Sequence, residues 1–472
     1  MSQPRTIFEK SAALQTTERT VNLPPRLEGG LPVLGHGLAF NKNPVALMTK
    51  ARELHGDLCT IALPATDGII MTGVKAQEKF FRMSDEDISQ AEAYRLMTPI
   101  FGKGLAYDAP QPIMREQLGF FHDALRETRM RSYAMGFIEE AENYFGAWDD
   151  DGTVDMYDVG NSLTIYTSSR SLLGKQFRDQ LSGEFAKLYQ DMEGALSPLA
   201  FMAPNLPIPA HRRRDRARVR MVELITDIVE HRRTSGYEGD DMLQSLMDAS
   251  YKDGRKLSED EITGLLLTIM FAGHHTSGVT FSWMGILLAQ NPAWAAELLA
   301  EQNALLGDRS DLTLEDLRAM PKLEATVKET LRMYPPIIVM MRKVINDFSF
   351  GGYDIPHGSM VFASPAVSHY IEDIFPNPTV FDPTRFLAPT NADKKNPMGW
   401  IPFGAGRHRC MGIVFAQLQL RALWSHLLRN FEFETVPGDI YEPDYSRLLV
   451  GPRHPCRLRF RRRRDKRSFA AA

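Results

Sequence analysis

The spacing of apolar residues changes along the chain, and each change predicts a different kind of element. Residues 57–73 contain two β-rich runs on either side of a Thr-Asp-Gly turn, which predicts a β-hairpin. From about residue 112 to 236, apolar residues recur at the spacing of a helix face, interrupted by the Pro-rich segment 197–209. The middle of the chain is therefore expected to consist of successive helices.

The longest predicted helix begins at Ser258, which forms an S-x-x-E capping box with Glu261, and it continues to Gln290. At 1.5 Å per residue it would be about 48 Å long. Its most apolar stretch covers only residues 264–273, whereas a membrane span needs about 20 residues. We therefore expect this helix inside the fold, with no membrane span.

The last third of the chain mixes short strands with further helices. A helix is predicted from Pro321 to the residue before Pro335, followed by β-like runs, a long Pro-punctuated coil at 365–402 and a helix at 412–429. The β-like runs are 337–344, 348–355 and 359–363. The pattern predicts a mainly α protein with small β-sheets, in one compact unit at 24–460. We expect a polar leader at 1–23 and a basic, disordered tail at 461–472.

Composition narrows the class of protein. The 472 residues are 43% hydrophobic and 24% charged, as in soluble globular proteins, and the net charge of −4 offers no overall positive field for a nucleic acid. The 3 cysteines, Cys59, Cys410 and Cys456, are too few for a disulfide framework or a four-cysteine zinc site. The first thirty residues contain no signal-peptide core, so we expect a cytoplasmic protein. From the net charge we expect no nucleic-acid partners.

Cys410 is the strongest candidate for chemistry. It directly precedes a predicted helix and is flanked by Arg407, His408 and Arg409, so the helix dipole, free N–H groups and positive charge are expected to favour its thiolate. Such a thiolate is a metal ligand. Cys59 and Cys456 have no such surroundings and are interpreted as small buried hydrophobic residues.

The loop around Cys410 is shaped for a flat partner. Gly404 and Gly412 permit tight turns and a close approach, and Phe403 can lie against the partner's face. The string F-x-x-G-x-H-x-C-x-G resembles the heme-binding loop of the cytochromes P-450, in which the cysteine thiolate is the proximal iron ligand. The resemblance implies a cytochrome P-450 fold, with heme b between the Ser258 helix and the Cys410 loop.

A charged motif accompanies the loop. Glu329 and Arg332 lie three apart in the Pro321 helix, on one face, and Arg385 follows in FDPTRF. A carboxylate paired with two guanidinium groups would lock the irregular segment beneath the heme onto a rigid helix. We interpret these three residues as structural.

The Ser258 helix carries an unusual string at 272–277, Ala-Gly-His-His-Thr-Ser. A glycine and a threonine in a helix interior predict a local opening of its hydrogen bonds, and adjacent histidines point about 100° apart, so they are not a metal pair. The resemblance implies that Thr276 bonds the dioxygen and that His275, with it, supports proton delivery. Most cytochromes P-450 have an acid before this threonine. In having His275 there, the string resembles that of the sterol 14α-demethylases.

A second string, at 94–108, also resembles the sterol 14α-demethylases of bacteria. Its pattern is Y-x-x-x-x-P-x-F-G-x-x-x-x-Y-D, which in that family covers the heme and lines the substrate cavity. The heme propionates would be bound by Tyr94, Arg342, His408 and Arg115. The substrate would contact Leu96, Met97, Phe101, Tyr107, Ala272, Ile338, Val339 and Met340.

The resemblance implies three successive oxygenations that convert a sterol 14α-methyl group to alcohol, aldehyde and formate. Electrons would come from NAD(P)H through a ferredoxin reductase and a ferredoxin, which exposed Arg407 and Arg409 would help to dock. Leu96 implies a substrate with two methyl groups at carbon 4, such as lanosterol. The arginines at 212–214 are interpreted as a solvated face.

Two alternatives remain open at this point. One is a bacterial monooxygenase that hydroxylates another steroid, a terpenoid or a fatty acid. The other is a heme-based binding or gas-sensing protein, against which Thr276 argues, since a sensor needs no proton relay beside dioxygen.

Overall fold

The computed structural model describes residues 21–463, apart from 65, 176–177, 179–183, 197–199, 201–202, 238, 240, 308 and 310. Positions 1–20 of the predicted leader, 464–472 of the predicted tail and part of the Pro-rich segment lie outside the described residues.

Helices make up most of the described chain. The α-helices are Gly37–Lys42, Pro44–His55, Gly73–Arg82, Thr98–Phe101, Gln111–Ala124, Glu127–Gly146, Met156–Leu173, Glu184–Glu193, Pro209–Ser235, Met242–Asp248, Glu259–Gln290, Pro292–Leu306, Leu314–Arg318, Pro321–Met333, Pro365–Ser368, Ala392–Lys395 and Ile413–Asn430. Short 3₁₀-helices are Arg95–Met97, Ala106–Asp108, Pro383–Phe386 and Gly406–His408. The mainly α prediction is confirmed. We call Glu259–Gln290 the central helix and Pro321–Met333 the Pro321 helix.

The strands form small sheets, as predicted. They are β1 Leu58–Leu63, β2 Thr66–Met71, β3 Ile88–Ser89, β4 Asp151–Asp155, β5 Met340–Val344, β6 Phe348–Phe350, β7 Tyr353–Ile355, β8 Met360–Ala363, β9 Phe431–Thr435 and β10 Arg457–Arg462. Within the described residues, a 5-stranded sheet has the order β1-β2-β8-β5-β3 and a 3-stranded sheet the order β4-β10-β9. The predicted hairpin is the antiparallel β1–β2 pair, but its predicted Thr-Asp-Gly turn is wrong: Thr66, Asp67 and Gly68 belong to β2, and Leu63 already pairs with Thr66. The predicted run 348–355 is two paired strands, β6 and β7.

The larger sheet has two different faces. Alternate residues of β1, β2 and β8 pack into separate clusters: Leu58 joins Phe80 and Phe81, whereas Cys59 joins Leu47. Because the alternation continues in β5, Met340 packs on the face of Phe80 and Phe81, and Met341 on the other. The first face also carries Ala405 and Ile401 and therefore borders the Cys410 loop.

Glycines set how closely the central helix approaches its neighbours. A Cβ added at Gly160, in Met156–Leu173, would lie 2.6 Å from the Gly278 carbonyl oxygen of the central helix. One added at Gly264 would lie 2.0 Å from the Phe101 carbonyl oxygen. The Met156–Leu173 helix and the segment around Phe101 are thus held directly against the central helix, within the largest apolar cluster.

Two expectations about basic segments need correction. Arg214 is 2% exposed and donates to the Pro204 carbonyl at 2.9 Å, so the 212–214 run is not wholly solvated. Strand β10 extends through Arg462, and Arg463 donates to Glu432 at 2.7 Å, so ordered structure continues past the predicted boundary at Phe460. Specific hydrogen bonds and ion pairs, together with the pairing of β10 in its sheet, decide the conformation of these two segments. Their basic composition does not.

None of the helices in the described part of the chain combines the length and the apolar character that crossing a bilayer requires.

We expect Gly264→Ala to destabilise the protein, although alanine favours a helix by about 1 kcal/mol over glycine. The new methyl group would meet the Phe101 carbonyl, and such overpacking costs about 1–3 kcal/mol. Gly119→Ala is the matched control, because Gly119 lies in the helix Gln111–Ala124 with nothing within 4 Å of the added Cβ. Thermal unfolding should show a lower Tm for the Gly264 variant only; equal values would contradict the close crossing.

Candidate active site

The Cys410 loop is folded back on itself by its own backbone. The Cys410 N–H donates to the Phe403 carbonyl at 2.9 Å, and the Gly404 N–H donates to that of Ile401 at 3.0 Å. Gly404 and Gly406 both have a φ of 64°, and a Cβ at Gly406 would lie 2.3 Å from the Phe81 carbonyl oxygen. Glycine is required at this position, both for the left-handed conformation and for the close approach to Phe81.

The pKa of the Cys410 thiol shifts in the direction opposite to the expected one. Burial raises its pKa, although the Gly412 N–H and the Arg409 charge act in the opposite direction. The expectation that the surroundings alone favour the thiolate is therefore wrong, because desolvation outweighs the nearby positive charge. The side chain nevertheless keeps accessible surface, so the sulfur is available to a metal ion, whose bond would deprotonate it.

The central helix presents an open patch near its middle. Ala272 is exposed and Thr276 is partly exposed, although the turns on either side are buried. The predicted opening of the helix is wrong: the helix is continuous, and the Thr276 hydroxyl donates to the Ala272 carbonyl at 2.7 Å. A threonine can make this bond within an intact helix, so its presence does not require a break.

The segment 94–108 packs against the central helix. Tyr94 and Tyr107 stack with ring centroids 4.8 Å apart, and Phe101 packs edge-on against Phe271 of the central helix at 5.9 Å. Burial raises the pKa of Tyr107 to about 12, and its phenol also feels the charges of Tyr94, Arg342 and Cys410. Aromatic side chains of this segment and the Cys410 sulfur therefore border the same region.

Arg342 reaches this region from strand β5. It is 6% exposed, lies over the Phe80 ring at 5.4 Å and donates to the Met341 carbonyl at 3.0 Å. No carboxylate among the described residues pairs with Arg342. A buried cation without an acidic partner is suited to an anionic group of a ligand.

His408 has a partner that sequence reasoning missed. Its Nε2 contacts the carboxylate of Asp85, which also lies 3.5 Å from Arg407. Burial lowers the His408 pKa, opposed by the bond to Asp85 and reinforced by the Arg342 charge. Asp85 lies 323 positions earlier in the chain, and no local pattern marks it. Arg115 is exposed and donates to Gln111 at 3.3 Å, so no contact ties it to this group.

The proposed substrate residues occupy different environments. Leu96 is buried, Met97 and Ile338 are partly exposed, and Met340 lies 3.5 Å from a Cβ added at Gly404. Val339 instead packs with the cluster on the opposite face of the sheet. Packing therefore places Met340, but not Val339, beside the Cys410 loop.

The structure brings Glu329, Arg332 and Arg385 together. Arg332 donates to both Glu329 oxygens at 2.7 and 2.8 Å, with both side chains fully buried, and Arg385 Nε lies 3.5 Å from Glu329. Arg332 also donates to the Pro378 carbonyl at 2.7 Å, and Glu329 accepts the Asp382 N–H at 2.9 Å. The cluster thus ties the irregular segment after Pro365 to the Pro321 helix.

A partly exposed acid contacts the buried His275. Glu193 lies against His275 Nε2, and Tyr189 stacks near this histidine at 6.0 Å. Burial raises the Glu193 pKa to about 7, opposed by Arg447, and burial lowers the His275 pKa well below its ordinary value. His274 turns away and bonds the Asn161 carbonyl at 2.9 Å. Sequence reasoning missed Glu193, which no motif marks.

These residues fit a heme. A thiol with accessible surface at Cys410 and, among the described residues, a buried cation without a carboxylate partner at Arg342 would supply an iron ligand and a site for a propionate. The exposed Ala272 leaves room beside the middle of the central helix. The donor set is thiolate and arginine, which is the chemistry of an iron porphyrin with carboxylate arms.

Comparisons with known proteins agree with this geometry. The Cytochrome P-450 family model matches residues 24–460. The sterol 14alpha-demethylase of Mycobacterium tuberculosis is 41% identical, over 93% of this chain and 98% of that protein. The obtusifoliol 14-alpha demethylase of Triticum aestivum is 38% identical, over 93% and 99%. The solved structure of a cyanobacterial CYP120A1 with retinoic acid bound has a TM-score of 0.84 at 24% identity, over 94% of this chain and all 100% of that one, and shows the fold.

Fold and site together define a heme-thiolate monooxygenase. The chain belongs to the cytochrome P-450 family. Membership implies a heme cofactor, separate redox partners and a hydrophobic substrate, and the alternative of a gas-sensing protein is set aside.

We expect Cys410→Ala to abolish the absorbance band at about 450 nm of the reduced carbon monoxide complex, because that band requires a thiolate ligand. Cys456→Ala is the control, since Cys456 is fully buried and bonds Asp155. Persistence of the band in the Cys410 variant would exclude this sulfur as the ligand.

We expect the unfolding free energy of the wild type, relative to Glu193→Gln, to fall as the pH rises from about 4.5 to about 7. In this window the folded protein holds a proton on Glu193 that the unfolded chain has released, so a rise in pH favours unfolding. Denaturant titrations at the two ends of the window measure the difference, and a difference independent of pH would contradict the raised pKa.

Proposed function

We propose that the protein is a sterol 14α-demethylase that removes the 14α-methyl group of lanosterol-type sterols in three oxidations. The observation that carries the proposal is the aromatic segment 94–108, in which Tyr94 stacks on Tyr107 and Phe101 packs against Phe271 of the central helix. Flat apolar surfaces suit a rigid ring system. Relatives named as sterol demethylases, at 41% identity over nearly the whole chain, support the same substrate class.

When bound, heme ligated by Cys410 supplies the activation of dioxygen. Thr276 has its hydroxyl on the open side of the central helix, where it can hold a proton donor in place. His275 directly precedes Thr276 in that helix, and its Nε2 contacts Glu193 at the end of the helix Glu184–Glu193. We propose that they pass protons toward Thr276, because a carboxyl with a pKa of about 7 both gains and loses a proton readily near neutral pH.

Arg342, which pairs with no carboxylate among the described residues, would bind one heme propionate, with Tyr94 beside it. His408 would have to leave the Asp85 carboxylate to bind the other. Phe403 and the loop glycines would pack against the ring. Arg115, exposed and bonded to Gln111, would have to turn inward to take part.

Electrons would arrive from NAD(P)H through a ferredoxin reductase and a ferredoxin. Arg407 and Arg409 support this proposal, because both are exposed on the outer side of the Cys410 loop. An acidic ferredoxin placed there would lie close to the ligand sulfur.

Titration of the heme-loaded protein with lanosterol, eburicol and obtusifoliol tests the substrate class. We expect each 14α-methyl sterol to displace the water on iron and to shift the spin state, and lanosterol to yield a 14,15-unsaturated product and formate. The 14-demethylated product of lanosterol is the matched control. If no 14α-methyl sterol shifts the spectrum while another steroid, a terpenoid or a fatty acid does, the demethylase proposal is wrong and the monooxygenase class remains.

Leu96→Phe tests the preference at carbon 4. The larger ring should leave less room for a second methyl group, so we expect affinity for lanosterol to fall about tenfold or more relative to obtusifoliol. Dissociation constants from the spin-state titration measure the ratio. An unchanged ratio would show that Leu96 does not contact that part of the sterol.

A further inference from the structure

We propose that His369 is a positioning residue that couples the buried Glu329–Arg332 pair to the loop carrying Cys410. The proposal rests on Cys410 as the heme ligand, not on the identity of the substrate. His369 follows the short helix Pro365–Ser368 and is fully buried, at 0% exposure.

The two ring nitrogens of His369 join two separate parts of the chain. Nδ1 lies 3.0 Å from the Arg332 carbonyl oxygen, and Nε2 lies 3.0 Å from the Ile401 backbone nitrogen. Because the Ile401 N–H can only donate, Nε2 must accept, and Nδ1 must then carry the proton that it donates to Arg332. Burial lowers the His369 pKa to about 3, which keeps the ring in this neutral form.

Arg332 holds His369 from the other side as well. Its Nη1 donates to the His369 carbonyl at 3.1 Å, while its Nε and Nη2 are bonded to Glu329. The histidine is therefore fixed to the ion pair through its backbone and through its ring. Its position depends on where that pair lies.

Beyond Ile401 the bonds continue to the ligand. The Ile401 carbonyl accepts the Gly404 N–H at 3.0 Å, and the Phe403 carbonyl accepts the Cys410 N–H at 2.9 Å. Ile401 is 0% exposed, so a solvent molecule cannot easily replace the imidazole as its acceptor. Loss of the acceptor would leave a buried N–H unpaired and release the start of the loop.

Three substitutions separate the two bonds of the ring. His369→Gln keeps a carbonyl oxygen near the position of Nε2 and can accept from Ile401. His369→Asn keeps a donor near Nδ1 but is too short to reach Ile401, and His369→Leu removes both groups. His211→Leu is the matched control, because His211 is also buried, at 1% exposure, and bonds only the Leu206 carbonyl among the described residues, at 2.8 Å.

The measurement is the rate at which the reduced carbon monoxide complex of each heme-loaded protein loses its thiolate band and gains the shorter-wavelength band of a protein without a thiolate ligand. We expect the Leu and Asn variants to convert about tenfold faster than the wild type, since the buried Ile401 N–H loses its acceptor. The Gln variant should stay close to the wild type. The Tm of each variant is measured in parallel.

Two results would overturn the proposal. One is conversion in the Leu and Asn variants that is no faster than in the His211 control at an equal loss of Tm, since the role would then be only structural. The other is a Gln variant that converts as fast as the Leu variant. If the Leu variant does not bind heme, the conversion rates of the Asn and Gln variants are compared with each other instead. A wild type that keeps its thiolate band but shows no sterol response would refute the proposed substrate and leave this test intact.

Discussion

The site depends on a sulfur atom that the protein itself does not ionise. Packing around Cys410 raises the pKa of its thiol, and the helix that follows and the charge of Arg409 do not compensate. A bond to iron is the interaction that makes a thiolate stable there. The backbone of the loop would hold the sulfur in place for iron, while the Gly412 N–H and the Arg409 charge favour the thiolate only in part.

Two kinds of interaction supply that rigidity. Within the loop, backbone hydrogen bonds and the close approach of Gly406 to Phe81 fix the turn. Outside it, Arg332 of the Glu329–Arg332 pair donates to several carbonyls of the irregular segment after Pro365. A buried ion pair of this kind adds little net stability, but removal of one partner leaves an uncompensated charge, so the geometry is strongly specified.

Burial also controls the charge of two groups beside the central helix, His275 and Glu193. His275 is kept neutral by burial, and the acid it contacts, Glu193, has its pKa raised to about 7. The neutral His275 therefore stays buried without a compensating ion, whereas Glu193 is partly exposed and feels the charge of Arg447. The central helix is intact at Thr276, whose hydroxyl donates to the Ala272 carbonyl.

Much of the fold could be predicted from the sequence, because its signals are local. The capping box at Ser258 and the glycine-rich loop before Cys410 each specify their own backbone. The β1–β2 hairpin was found from its two apolar runs, but its turn was misplaced, because Thr66, Asp67 and Gly68 pair within β2. The partners Asp85 and Glu193 could not be found, since each meets its histidine only after the chain has folded. The direction of the Cys410 pKa was predicted wrongly because flanking charges are visible in a sequence and desolvation is not.

X-ray absorption at the iron edge of the purified, heme-loaded protein measures whether a sulfur atom binds the iron. We expect one sulfur ligand in addition to the porphyrin nitrogens, and its loss in the Cys410→Ala variant. An iron bound only by nitrogen and oxygen atoms in the wild type would contradict this expectation.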